Sequence, residues 1–154
     1  FVQLGRGTPA AGWAGAAMGA VAAAVLVVNN VRDRDGDLRA GKRTLVAAYG
    51  RRFGVAMYAG FLGLAVVVAG VFAWANRSPL FLLPTLYAAY GAVTLVRRLR
   101  SDDGVALNPL LGRTASFGLR YAGLMAVAIA VSATTVRSIS MPRRYYYYYF
   151  APVE

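Results

Sequence analysis

"NNVRDRDGDLRAGKRTL", residues 29–45, packs three aspartates and five cationic side chains into seventeen residues. Its first three residues close a run of 25 uncharged residues between Arg6 and Arg32. The reading of that boundary decides the fold. The uncharged run is apolar on every face, and a hydrocarbon core of about 30 Å is crossed by about 20 helical residues. Two further runs qualify, 24 residues between Arg52 and Arg77 and 19 between Arg77 and Arg97. A fourth, residues 115–135, qualifies with Arg120 near its start.

The remaining composition agrees with a membrane-embedded chain. Of 154 residues, 58% are hydrophobic and only 15% charged, with mean hydropathy +0.50; a soluble domain carries about a quarter charged residues. The expected fold is therefore all-α and polytopic, with four transmembrane helices at about 11–28, 53–75, 80–96 and 114–136. Small residues of the first helix (Gly12, Ala14, Gly15, Ala16, Ala17, Gly19) suit close approach of a neighbour, and Pro84 is expected to kink the third. The first apolar run is too long for a signal peptide and lacks a basic n-region.

The charges set orientation and exclude several functions. Lys and Arg concentrate in segments 29–52 and 97–114, which places both on the cytoplasmic side of the cell membrane. In a soluble protein the net charge of +11 would suggest a nucleic-acid partner; here the positive-inside rule accounts for it, and no nucleic acid is expected. With no Cys and no His, disulfides, thiolate catalysis and the commonest zinc sites are excluded. Carboxylates remain as metal ligands. Residues 137–154, with five consecutive tyrosines, read as a low-complexity tail.

If the first helix continues through the charged stretch, Asn29, Asp33 and Asp37 fall at i, i+4 and i+8 on one face. Two carboxylates and an amide one turn apart form a hard-oxygen set of the kind that holds Mg²⁺, whose remaining positions go to water and phosphate. Arg32, Arg39, Lys42 and Arg43 stand around that face and suit phosphate oxygens. A calcium loop counted from Asp33 fails, because its sixth and twelfth positions hold Leu38 and Thr44 instead of Gly and Glu. A solvated loop whose charges merely enforce topology fits the spacing equally well.

The stretch resembles the second aspartate-rich motif of the UbiA-type membrane prenyltransferases. It is most similar to the 1,4-dihydroxy-2-naphthoate polyprenyltransferases of menaquinone synthesis, on Asn29, Asn30, Arg32, Asp33, Asp37, Gly41, Lys42, Thr44 and Leu45. "GVALNPLLGRTA", residues 104–115, resembles that family's last cytoplasmic loop, and the similarity spans about residues 1–136. The resemblance implies a nine-helix fold with two facing aspartate-rich motifs. This chain would supply the last four helices and one motif, the other half lying elsewhere, so that residues 1–154 alone are expected to be inactive.

The implied reaction is Mg²⁺-dependent transfer of a polyprenyl group from its diphosphate to dihydroxynaphthoate, with loss of CO₂, giving a demethylmenaquinone. In that reading Asp33 and Asp37 hold Mg²⁺ with Asn29 assisting, Lys42 and Arg32 contact diphosphate, and Arg120 either faces a cavity as a further diphosphate ligand or snorkels to the cytoplasmic interface. Asn30 is a further candidate or a simple helix cap. Two alternatives stand: another aromatic acceptor, such as 4-hydroxybenzoate or a porphyrin alcohol, and a non-catalytic module binding anionic membrane lipid.

Overall fold

The computed structural model describes residues 8–138, with side chains to residue 133. Five helices follow one another: α1 (Pro9–Arg32), α2 (Arg34–Arg39), α3 (Leu45–Asn76), α4 (Leu82–Ser101) and α5 (Asn108–Ser138). Short 3₁₀ turns at Pro79–Phe81 and Gly104–Leu107 precede α4 and α5. Among the described residues there is no strand. Four stretches, Pro9–Arg32, Leu45–Asn76, Pro79–Ser101 and Gly104–Ala133, are long and apolar enough to cross a membrane. The chain is an all-α membrane protein.

The four long helices run up and down, α1 against α3, α3 against α4, with α5 closing against α1 and α4. The α1–α3 and α4–α5 connections, which carry most of the charge, therefore gather at one end of the bundle, with Arg77 in the α3–α4 connection at the other. Lipid gives little hydrophobic drive for helices to associate, so close packing and buried hydrogen bonds hold them. A Cβ on Gly54 would stand 2.8 Å from Val31, and one on Gly118 2.8 Å from Val21. One on Gly91 would overlap the Phe117 ring. Around Gly12, Gly15 and Gly19 the structure is open to 4 Å; of the small residues on α1, Ala17 is buried in the core and Ala14 packs against it, while glycines of α3, α4 and α5 make further close approaches.

Buried polar atoms stitch α3 to α5. Tyr58 Oη and Thr114 Oγ1 are 2.7 Å apart, Thr114 Oγ1 donates to the Leu110 carbonyl at 2.8 Å, and Tyr121 Oη donates to the Ala65 carbonyl at 2.9 Å. Tyr87 stacks on Phe117 at 5.4 Å. Tyr58, Tyr87 and Tyr121 are thus all used by helix packing. Tyr90 is exposed.

Helix ends differ from expectation because caps, and not charges, end helices. Thr8 accepts from Ala11 N at 3.2 Å with Pro9 opening α1, and Thr44 accepts from Ala47 N at 3.1 Å to open α3 eight residues earlier than hydropathy suggests. α1 runs on past Asn30, which is interior; Asp33 is the capping residue. Gly50 interrupts α3 with φ 85° and ψ 171°, a conformation essentially restricted to glycine. Pro84 sits in the first turn of α4, where its missing N–H interrupts no helical bond, in place of the expected kink. The tyrosine run lies outside the described residues.

Replacing Gly91 by Ala forces the Phe117 ring aside and is expected to destabilise the bundle by about 1–3 kcal/mol, the usual scale of overpacking. Gly15→Ala, in open space, is expected to lie within about 0.5 kcal/mol of the parent. Reversible denaturation in mixed micelles compares the two.

Candidate metal and diphosphate site

The backbone carries the helix past its first break. Asp33 has φ −92° and ψ 3°, outside helical values. Even so, Asp33 N donates to the Asn29 carbonyl at 2.9 Å and Asp37 N to the Asp33 carbonyl at 2.8 Å. These are i→i−4 bonds, so Asn29, Asp33 and Asp37 rise one turn apart along α1 and α2. Asp37 is buried, while Asn29 and Asp33 are half-buried.

α2 ends in a Schellman motif. Gly41, at φ 68°, supplies the left-handed residue; Lys42 N donates to the Asp37 carbonyl at 2.9 Å and Gly41 N to the Leu38 carbonyl at 3.2 Å. That reversal returns Lys42 beside Asp37, with Nζ 3.3 Å from Oδ1. Lys42 remains largely exposed while Asp37 is covered.

Arg32 is the hub. Its Nε and Nη2 donate to the two oxygens of Asp33 at 2.7 Å each, Nη2 also to Asn29 Oδ1 at 2.7 Å, and Nη1 to Asn108 Oδ1 at 3.0 Å. Two-pronged pairing of this kind is the strongest geometry available to arginine. The hydrogen bond from Arg32 holds the Asp33 carboxyl below its ordinary value of 3.8, against a smaller opposing effect of burial. Each candidate acidic ligand therefore comes with its own cation, Asp33 with Arg32 and Asp37 with Lys42.

Two carboxylates and an amide, all hard oxygens at one-turn spacing, fit Mg²⁺ as a partial set. Such an ion takes one or two protein carboxylates and completes its shell with water and phosphate oxygens. A closed protein cage is not what they form: among the described residues no three Asp, Glu, His or Cys side chains converge. Asp102 and Asp103 are used locally in the α4–α5 connection. Asp103 Oδ1 accepts from Gly104 N at 2.9 Å to cap the 3₁₀ turn, and Asp102 lies 3.9 Å from Arg98.

Arg120 stays apart from this cluster. It is exposed on α5 in phase with Arg113 and Ser116, while Thr114, Phe117, Tyr121 and Met125 form the packed face. Among the described residues no hydrogen bond or ion pair engages it. Asn108 is the residue that sequence reasoning passed over. Its only signal was its place before Pro109 in "ALNPLL", which gave no hint of a partner 76 residues away.

The model of the UbiA prenyltransferase family matches residues 1–117, and the chain belongs to that family. The match covers the Asn29–Leu45 stretch and reaches into α5. Comparison with curated proteins and with solved structures gives no match.

Because the Asp33 carboxyl titrates lower in the fold, the Arg32–Asp33 contact contributes fully above about pH 4 and fades as pH falls through the folded value. A ¹³C carboxyl titration is expected to place Asp33 below the ordinary aspartate value. A double-mutant cycle of Arg32→Ala and Asn108→Ala is expected to give a coupling of about 1 kcal/mol or less, since the bond is solvent-exposed.

Proposed function

We propose that the chain forms half of the catalytic site of a membrane prenyltransferase and acts on a polyprenyl diphosphate and dihydroxynaphthoate. The family match supports prenyl transfer. The observation that carries the site assignment is the stacking of Asn29, Asp33 and Asp37 one turn apart with Arg32 and Lys42 paired to the carboxylates. Asn29, Asp33 and Asp37 would hold Mg²⁺, which supplies positive charge to the leaving diphosphate.

The chain's own residues prepare this electrostatically. Before ligand arrives Asp33 and Asp37 are neutralised by Arg32 and Lys42, so neither carboxylate is left uncompensated. A ligand that engages the carboxylates releases both cations, which are then free to bind phosphate oxygens. Lys42 has the reach for this, being 68% exposed on a flexible stem. Arg32 is held by Asn108 as well, which keeps its guanidinium in place when Asn29 and Asp33 are engaged elsewhere. No nucleophilic side chain is required, in keeping with a chain free of Cys and His. The choice of dihydroxynaphthoate as acceptor, with menaquinone synthesis as the setting, rests on the resemblance of the Asn-Asn-x-Arg-Asp stretch alone.

A second reading has its own support. Leu38, Leu45, Tyr49 and Phe53 are exposed beside Arg39, Arg43 and Arg52, none of which has a hydrogen bond or ion pair among the described residues. Apolar and cationic groups so mixed suit an anionic lipid surface, and a non-catalytic lipid-binding module would need nothing more.

Asp33→Asn and Asp37→Asn separate the readings. In the presence of a complementing half that carries the facing motif, each is expected to lower prenyl transfer by on the order of 10²–10³, the scale of losing one electrostatic stabiliser. Chelation of Mg²⁺ is expected to abolish the remainder, and residues 1–154 alone are expected to show no turnover. Unchanged transfer in both variants excludes the site assignment, whereas lipid binding alone leaves it without a reaction.

A further inference from the structure

Arg120 stands deeper in the bundle than its place in the sequence suggests. The uncharged run of α5 begins only after it, so hydropathy alone sets it at the edge of the span. Contacts made by its neighbours on α5 set it elsewhere. Gly118 meets Val21 of α1, Phe117 stacks on Tyr87 of α4 at 5.4 Å, and Tyr121 Oη donates to the Ala65 carbonyl of α3 at 2.9 Å. Each partner lies near the middle of its own charge-free run. Tyr87 is ten residues from both Arg77 and Arg97, Ala65 thirteen from Arg52 and twelve from Arg77, and Val21 fifteen from Arg6 and eleven from Arg32. Three helices thus place Arg120 at mid-depth, on the exposed side of α5.

Ionised side chains inside a membrane pair with one another or with backbone carbonyls, or line a bundle interior or water. Arg120 has no hydrogen bond or ion pair among the described residues, and the partners that bilayer and chain offer all fail on depth. A headgroup phosphate is roughly 15 Å away, half of a hydrocarbon core of about 30 Å, farther than a snorkelling arginine extends. The acidic face of α1 and α2 is no nearer. Asn108, which binds Arg32, precedes Arg120 by twelve residues, a rise of about 18 Å at 1.5 Å per residue. A second copy brings no acid to this level, because all five aspartates lie at the charged end and Glu154 falls outside the described residues.

The surroundings of Arg120 suit a helix. Arg113, Ser116, Arg120, Gly123 and Val127 are all exposed and fall at i, i+3, i+7, i+10 and i+14, the spacing of a helix–helix seam. Ser116 and Gly123 stand one turn to either side of Arg120, and a Cβ on Gly123 would meet nothing within 4 Å. Small residues so placed let another backbone come close to the guanidinium. Charge complementarity names the rest. We infer that this face of α5 docks a further transmembrane helix that carries an Asp or Glu near its midpoint, and that Arg120 recognises that carboxylate. The inference does not depend on prenyl transfer.

The test uses the full chain in phosphatidylcholine vesicles. Because the chain has no cysteine, Arg120→Cys takes a single spin label, and power saturation is expected to place it deeper than labels at Arg97→Cys and Arg113→Cys. Recognition is read by energy transfer from the two native tryptophans to dansylated synthetic leucine helices bearing Glu, Leu or Lys at the centre. The Glu-centred helix is expected to bind about tenfold more tightly than the Leu-centred one, the scale of one polar contact between membrane helices. Arg120→Leu is expected to abolish that preference and Arg113→Leu to keep it. Arg120→Glu is expected to turn the preference toward the Lys-centred helix, which a misfolded variant does not do. A label at headgroup depth, equal binding of Glu- and Leu-centred helices by the parent, or a Glu preference that survives Arg120→Leu would overturn the assignment.

Discussion

The charged end of the bundle depends on one guanidinium. Arg32 closes α1 and at the same moment neutralises Asp33, orients Asn29 and reaches across to Asn108 at the start of α5. A cation whose donors are divided among two helices sets their register at this end, a directional contact that apolar packing does not supply. It also keeps the acidic face closed to stray cations, because both Asp33 oxygens are already engaged. Exposed ion pairs contribute little to stability by themselves. The importance of this one lies in its geometry.

The same short stretch does two jobs. Gly41 reverses the chain, Lys42 closes that reversal with its backbone and pairs Asp37 with its side chain, and Thr44 starts α3. Residues that a chemical reading takes as a binding motif are also the punctuation that ends one helix and begins the next. Their order along the chain is therefore constrained twice, by the positions the carboxylates must take and by the turns that bring them there.

Much of the fold was legible because its signals are local. Three charge-free runs and a near-apolar fourth gave four spans, and the spacing of Asn29, Asp33 and Asp37 placed them on one face once the helix continued. What escaped notice is long-range or conformational. Hydropathy marks where a helix leaves lipid and cannot see Thr44 opening α3, since a cap is a matter of one oxygen and one N–H. Nothing local distinguishes Gly50 or Gly91, where backbone and ring demand a missing Cβ, from Gly15, where space is open. Asn108 and Arg51 find their partners across 76 and 48 residues, separations at which one sequence carries no pattern. The packing uses of Tyr58 and Tyr121 depended on which carbonyl or hydroxyl each would meet, and that follows only from how α3 and α5 cross.

The grip of Arg51 on the final carbonyls of α4 has a bearing on biogenesis. The donor is synthesised 48 residues before its first acceptor, so α3 enters the bilayer with this cation still unclaimed. Until α4 threads back, water and lipid headgroups must solvate it, because a bare guanidinium is excluded from hydrocarbon. The interim arrangement tethers the leading end of α3 at the surface, ready for the returning helix.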